Sequence, residues 1–190
     1  SRVSRGLGDV YKRQGNNNVA IGYEALRDNS TTSQNVAIGM SALQESNAAG
    51  NVAIGANAMR GTTNTAITGG ENVAVGSSAL KLNIGGASNT AIGKASMGNN
   101  TNGNYNVAVG KGSLNDNTDG SNNTTIGYLS ANTGTNDITT GENNTLIGAS
   151  TAASAAAGTN QTVIGYGSSG QANNSVTLGN SDVTPVYMAQ

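Results

Sequence analysis

A five-residue pattern of apolar and small residues recurs along the chain and ends each time in glycine. The copies read NVAIG, NVAVG, NTAIG, NTTIG and NTLIG, with weaker copies QTVIG and SVTLG near the end. Their closing glycines lie 17, 16, 21, 17, 17, 17, 21, 17 and 14 residues apart. Such a regular period predicts a repeat architecture in which each repeat is one structural unit.

Each copy predicts one short β-strand. In 19–21 the side chains alternate, so Val19 and Ile21 share one face while Ala20 takes the other. A strand of three or four residues is not stable alone, so we expect the copies to stack in register and form a continuous apolar stripe. We expect Ile92 to be buried inside this stripe. The pattern leaves open whether the alanine row faces the inside of the roll or another chain.

Three positions of the repeat are assigned structural roles. The asparagines are expected to stack on one another and hydrogen-bond along the ladder, and the glycines to supply a backbone corner with positive φ. The third apolar residue belongs to the stripe. In the first eight copies these positions are Asn18, Ile21, Gly22, Asn35, Ile38, Gly39, Asn51, Ile54, Gly55, Asn72, Val75, Gly76, Asn89, Ile92, Gly93, Asn106, Val109, Gly110, Asn123, Ile126, Gly127, Asn144, Ile147 and Gly148.

A second apolar row follows each glycine by four residues. It comprises Leu26, Leu43, Met59, Leu80, Met97 and Leu114, and it fades to Ala131 and Ala152. Two apolar points in 17 residues predict two short strands per coil and a flattened roll with a thin core. A helix is the lesser alternative for this row. The two 21-residue spacings are interpreted as four-residue loop insertions just before the asparagine, within 67–72 and 138–143.

Composition narrows the function classes. Asn, Gly, Thr and Ser make up about half of the chain, 10% of the residues are charged, and the net charge is −1. The chain has no Phe, Trp, Cys or His, so a thick core, a thiolate site and a histidine base are excluded. We therefore expect no enzyme activity, no catalytic residue, no cofactor and no metal. The chain contains no run of eighteen apolar residues, so no membrane span is predicted.

The first fourteen residues differ from the rest. They hold four of the nine basic residues and resemble a translated sequencing adapter; a basic arm for nucleic acid is the alternative. We expect residues 1–14 to be disordered and to contribute nothing to folding. Residues 15–179 are predicted to form the repeat domain, and 180–190 to lead towards a further C-terminal region.

N-[VT]-A-[IV]-G followed by x-x-[AS]-[LM] resembles the head repeats of trimeric autotransporter adhesins (YadA-like heads) and of phage tail fibres. The resemblance covers about 15–179. It implies an all-β, left-handed parallel β-roll of about ten coils that assembles as a homotrimer. It also implies an extracellular fibre on a bacterial surface or virion tail, which attaches to an unidentified host glycan or protein. Tyr23, Tyr128 and Tyr166, which follow a glycine, favour the phage-type variant.

Other motifs carry less weight. GYGSSG at 165–170 matches a dinucleotide fingerprint, but another strand-like unit follows it instead of a helix. The run 115–120 mimics half of a calcium loop, with Ile126 at its twelfth position. Two alternative functions are weighed: an ice-binding solenoid, which would need a regular Thr-x-Thr face, and a carbohydrate-active β-helix enzyme, which would need clustered acids. No nucleic-acid or membrane contact is predicted for the repeats.

The acids Glu24, Asp28, Glu45, Asp116 and Asp119 are expected to be scattered, solvated loop charges.

Overall fold

The protein is a β-solenoid, described by a computed structural model over residues 15–29, 31–62 and 65–183. Ten strands of three or four residues follow one another along the described chain. They are β1 (Val19–Ile21), β2 (Val36–Ile38), β3 (Val52–Ile54), β4 (Val73–Val75), β5 (Thr90–Ile92), β6 (Val107–Val109), β7 (Thr124–Ile126), β8 (Thr145–Ile147), β9 (Gln161–Ile164) and β10 (Ser175–Leu178). The predictions for residues 1–14 lie outside the described residues.

All ten strands form one parallel sheet in which each strand pairs with its sequence neighbours. The register is the predicted one: Val19 pairs with Val36, Ala20 with Ala37 and Ile21 with Ile38. The weak copies follow the same rule, since Leu178 pairs with Ile164. At about 4.8 Å per strand the sheet is about 45 Å long. The all-β solenoid expected from the repeat is therefore confirmed.

The structure settles which strand face is inside. Ala37, Ala53, Ala74, Ala91 and Ala108 are fully buried in the roll. The branched residues on either side of them stack from coil to coil as expected, but they point outward. Ile92 is 41% exposed in this chain, so the expectation that it lies buried within the roll is wrong. A period of two separates the faces but does not say which one closes around the core.

The prediction of two strands per coil is also wrong. Leu43, Met59, Leu80, Met97 and Leu114 are buried as expected, but they lie in a turn and have φ between 44° and 52°. Their backbone is still bonded from coil to coil, since the Leu80 N–H donates to the Ser96 carbonyl at 3.0 Å. A left-handed residue cannot continue a strand, so each coil has one strand and one hydrogen-bonded turn.

The closing glycines form a ladder that no other residue could occupy. Gly93 has a φ of 132°, and a Cβ added to it would lie 2.5 Å from the Gly110 carbonyl oxygen of the next coil. The same close approach recurs at Gly76 and Gly110. The glycines therefore provide the positive φ that the sequence predicts, and they also let successive coils touch.

The asparagine ladder is confirmed, with a refinement in its bonding. Each asparagine of this ladder accepts, through its Oδ1, the backbone N–H of the residue at the same position in the next coil, as Asn89 does from Asn106 at 2.9 Å. From Asn51 onward its Nδ2 donates to a glycine carbonyl, which for Asn89 is Gly103 at 2.8 Å. Direct amide-to-amide bonds occur at some rungs only, for example from Asn106 to Asn89 at 3.2 Å. The ladder thus joins side chains mainly to the backbone.

A second, shorter asparagine ladder runs through the core. Asn100 donates to Asn83 Oδ1 at 2.7 Å, and Asn117 donates to Asn100 Oδ1 at 2.8 Å. In the next coil the buried Ile138 takes the place of an asparagine, because its N–H bonds to Ala131 as that of Asn117 bonds to Leu114. The Oδ1 of Asn117 is consequently buried without a partner among the described residues.

The second insertion is a loop, as predicted, and both insertions come earlier in the chain than predicted. Thr139 already holds a regular position, because its carbonyl accepts the N–H groups of Thr118, Asp119 and Gly120 of the preceding coil. The extra residues therefore fall before it, in an exposed loop at 133–137. In the first long coil the regular path resumes at Thr68, whose N–H bonds to the Ile84 carbonyl. The extra residues there precede Ile67, which is buried in the core.

The larger core residue moves from the turn to the strand in two of the coils. In the first six coils an inward alanine is followed six residues later by Leu or Met, as in Ala108 and Leu114. In the next two coils the larger residue lies on the strand: Thr125 precedes Ala131, and Leu146 precedes Ala152. From β2 onward all of these strand and turn residues are buried, and only Ala152 keeps a small exposed fraction, 5%. Where the second apolar row is reduced to alanine, the strand thus supplies the larger core side chain.

Candidate functional site

A flat apolar face is formed by the outward side chains of the ten strands. We call it the stripe. In β1 to β8 the stripe is formed by the first residue, Val or Thr, and the third residue, Ile or Val. The longer strands β9 and β10 contribute their second and fourth residues, which are Thr162 and Ile164 in β9 and Val176 and Leu178 in β10. Ile54, Ile126, Ile147 and Ile164 are between 37% and 40% exposed. The stripe is about 45 Å long and 10 Å wide, or about 450 Å², which is the size of the largest apolar patch on a typical monomeric protein, and such patches are often functional.

The structure brings the predicted repeat residues together around the stripe in three parallel lines. The third apolar residues form part of the stripe itself, the asparagines lie buried at the start of each strand, and the glycines close each strand at its end. They are structural, as the sequence indicates. None of the three lines offers an ionisable group.

Two rows of exposed residues border the stripe. The strand-end rim is the residue after each closing glycine: Tyr23, Met40, Ala56, Ser77, Lys94, Lys111, Tyr128, Ala149, Tyr166 and Asn180. The strand-start rim is the pair of residues before each position of the asparagine ladder: 16–17, 33–34, 49–50, 70–71, 87–88, 104–105, 121–122, 142–143, 159–160 and 173–174. The second residue of every pair has a φ between 51° and 74°.

The rims carry opposite charges. Lys94 and Lys111 lie on the strand-end rim, which contains no acid. Glu71 and Glu142 lie on the strand-start rim, which contains no base. Lys111 Nζ sits 5.5 Å from the centre of the Tyr128 ring in the next coil, a cation–π contact. Ser88 Oγ lies 3.4 Å from Glu71 Oε2, which draws that carboxylate towards the level of β5.

Three of the acids predicted to be scattered instead converge on one arginine. Arg27 contacts Glu24 at 3.3 Å, Asp28 at 2.7 Å and Glu45 at 3.3 Å. Its hydrogen bond with Asp28 is the main cause that raises the pKa of the Arg27 guanidinium. Sequence reasoning missed this network because Glu45 comes close only when one coil stacks on the next. This network stabilises the first turns of the solenoid. Because its three acids are engaged with Arg27, they do not form an empty ligand site.

The other two acids remain on the surface, as expected. Asp116 accepts hydrogen bonds from Asn99 at 3.1 Å and Asn115 at 2.9 Å. Asp119 accepts one from Asn102 at 2.9 Å, and this bond is the first cause that lowers the pKa of its carboxyl.

The structure does not assemble the calcium-like run 115–120 into a site. The Asn117 side chain points into the core ladder, whereas Asp119 faces the surface and accepts from Asn102. Ligands of one ion must converge, and these two do not. Residues 165–170 form the turn between β9 and β10, and a strand follows it.

Among the described residues, no group of three or more His, Cys, Asp or Glu is placed to hold a metal ion. Residues 15–29, 31–62 and 65–183 contain no helix of the length and hydropathy that crossing a membrane requires. Comparison with models of known families and with curated proteins gives no match for this chain.

Proposed function

We propose that this chain is a segment of an extracellular fibre that assembles as a homotrimer and attaches to a host surface. The observation that carries the proposal is the stripe, a continuous apolar face that a single chain leaves in water. Covering it releases water from branched side chains along the full length of the rod, at about 25 cal/mol per Å². The resemblance of the repeats to fibre head domains supports the same assembly.

The occupant of the stripe is another copy of this chain. The stripe has a constant width and repeats every coil, so its best match in shape is a surface of the same period. Three stripes facing a common axis bury one another completely, as parallel rods around an apolar centre. Each strand also points the same way, which suits a cyclic assembly of parallel rods.

The attachment function follows from the repetition. Every outer loop recurs at intervals of about 4.8 Å, so the rod offers many similar weak contacts. Assembly multiplies these contacts, and avidity then raises the overall affinity far above that of one chain. The receptor is a glycan or protein of the host surface, bound through loops and not through the stripe.

Ile92→Asp tests the assembly. Because the Ile92 side chain is partly exposed in the single chain, the variant should keep its circular dichroism spectrum. Sedimentation equilibrium should show a trimer for the parent and a monomer for Ile92→Asp, since the charge would lose its water in the interface. Thr135→Asp, on the exposed loop 133–137, adds the same charge and should remain trimeric. A parent chain that stays monomeric at high concentration would refute the proposal.

A glycan array tests attachment with the same two proteins. The parent trimer should be retained on at least one class of host glycan, and monomeric Ile92→Asp should be washed away. Equal, tight binding by both would contradict an avidity mechanism. The outward residues of β7, β8 and β9 read Thr-x-Ile and not Thr-x-Thr, so the structure adds nothing to the ice-binding alternative.

A further inference from the structure

We propose that the two rims dock against each other between neighbouring copies, and that Lys94 pairs with the partner's Glu71 to fix the axial register of the rods. The inference rests on the proposed assembly and names the residues that align it. An apolar stripe alone defines register poorly, because sliding it by one coil buries nearly the same side chains. Contacts that differ from coil to coil must therefore select one alignment.

The geometry of the strands dictates which rims meet. Every strand crosses the stripe from the strand-start rim to the strand-end rim, and all ten run in the same direction. Rotation about an axis parallel to the rod preserves this direction. The strand-end rim of one copy then lies beside the strand-start rim of the next. Because the rotation adds no translation, coils of equal number meet at the same level.

The charges match at the level of β5. Lys94 is exposed on the strand-end rim. At that level the strand-start rim presents Ser88, to which the Glu71 carboxylate reaches up from the coil below. Neither Lys94 nor Glu71 has an ion-pair partner among the described residues of its own chain. An ion pair at the border of an apolar interface is partly desolvated and stronger than one on an open surface.

The level of β6 gives a second specific contact. Lys111, already over the Tyr128 ring, faces the partner's Tyr105, so its ammonium group would lie between two aromatic rings. Tyr105 is 65% exposed in the single chain. This contact explains an exposed aromatic residue at a left-handed position, where asparagine or glycine is the usual choice.

At other levels of the rod the side chains on the two facing rims are compatible in size. The tyrosines of the strand-end rim occur at β1, β7 and β9, and at each of these levels the strand-start rim carries an asparagine. At β3 both rims are small, with Ala56 opposite Gly50. No level places two tyrosines against each other, so the rims fit without a clash.

A charge exchange in the full chain tests the pairing. Lys94→Glu and Glu71→Lys should each raise the dissociation constant of the trimer by about tenfold or more in 50 mM salt, measured by sedimentation equilibrium. The double variant Lys94→Glu/Glu71→Lys should return it to within about threefold of the parent. Lys81→Glu, on a different row, is the control for a lost positive charge. In 500 mM salt the differences should shrink, because ions screen partly exposed pairs.

The outcomes separate the two proposals. Additive losses in the double variant, or equal losses for Lys94→Glu and Lys81→Glu, would overturn the rim pairing while leaving a trimeric parent intact. A parent that never assembles would overturn both. Lys94 and Glu71 are exposed and Lys81 is half-buried, so circular dichroism should show every variant folded and exclude misfolding as a cause.

Discussion

At the scale of single residues, the fold depends on backbone positions that only certain side chains tolerate. The closing glycines combine a positive φ with backbone of the next coil at contact distance. Other left-handed positions carry ordinary side chains, such as the buried Leu80 and the exposed Tyr105. Steric exclusion between coils, more than backbone freedom alone, explains the glycine at the end of every repeat.

Gly93→Ala and Gly134→Ala separate these two effects. Both glycines have positive φ, but a Cβ at Gly134 meets nothing within 4 Å, whereas at Gly93 it meets the next coil. Gly134→Ala should lower the free energy of unfolding by about 1 kcal/mol, and Gly93→Ala by about 3 kcal/mol or more. Chemical denaturation measures both. Equal losses would show that backbone strain alone sets the cost.

At the scale of elements, each coil is a strand and a turn that share one layer of core side chains. The pair Ala108 and Leu114 is followed in the next coil by the pair Thr125 and Ala131, in which the larger side chain lies on the strand and not in the turn. Both pairs contribute buried side chains to that layer. Thr125 also adds a buried hydroxyl contact, 2.8 Å from Ser113 Oγ. Neighbouring coils can therefore differ in sequence while the path of the backbone stays the same.

Thr125→Ala and Ala131→Leu should compensate for each other. Thr125→Ala leaves a void and Ala131→Leu overfills the layer, so each should cost about 1 to 3 kcal/mol. The double variant recreates the Ala–Leu pair of the preceding coil and should lose less than the sum by 1 kcal/mol or more. Urea unfolding of the four proteins measures the coupling. Strict additivity would show that the two positions do not share space.

The sequence predicted the strands, their register, the asparagine ladder and the glycine corners, because each leaves a mark at a fixed place in the repeat. It did not predict that Ile92 faces outward, since Ala and Ile are both apolar and alternation is symmetrical. The turn around Leu80 was taken for a strand because its burial resembles that of one. Arg27 and Glu45 meet only through stacking. The exchange of side-chain size between Thr125 and Ala131 is visible in the sequence. It was not predicted because the two residues belong to different rows of the repeat, the strand row and the second apolar row.

At the scale of the whole molecule, stability is shared along one axis. Each coil contacts only the coils above and below it, so interior coils have two supporting neighbours and the ends have one. The stripe and both rims extend along this axis as well. Local opening should therefore begin at the ends of the rod and not at its middle.

Amide hydrogen exchange should reveal this gradient. The N–H groups of Val19 and Thr90 donate equivalent bonds of 2.8 Å, to Asn35 and Asn106 respectively. Bond geometry alone predicts similar protection, whereas the solenoid predicts that Thr90 exchanges at least tenfold more slowly. Exchange followed by nuclear magnetic resonance or mass spectrometry decides between them. Uniform protection would indicate all-or-none unfolding of the rod.

Because similar repeats pair in one constant parallel register, the gain or loss of a repeat in the gene has a simple structural result. Coding segments for repeats such as NVAIG at 35–39 and at 51–55 are natural partners for unequal recombination. Such an event adds or removes a whole coil, and the strands on either side of the junction still pair in phase. Each event changes the reach of the rod by about 4.8 Å. The length of the rod can thus change in discrete steps, without a new sequence.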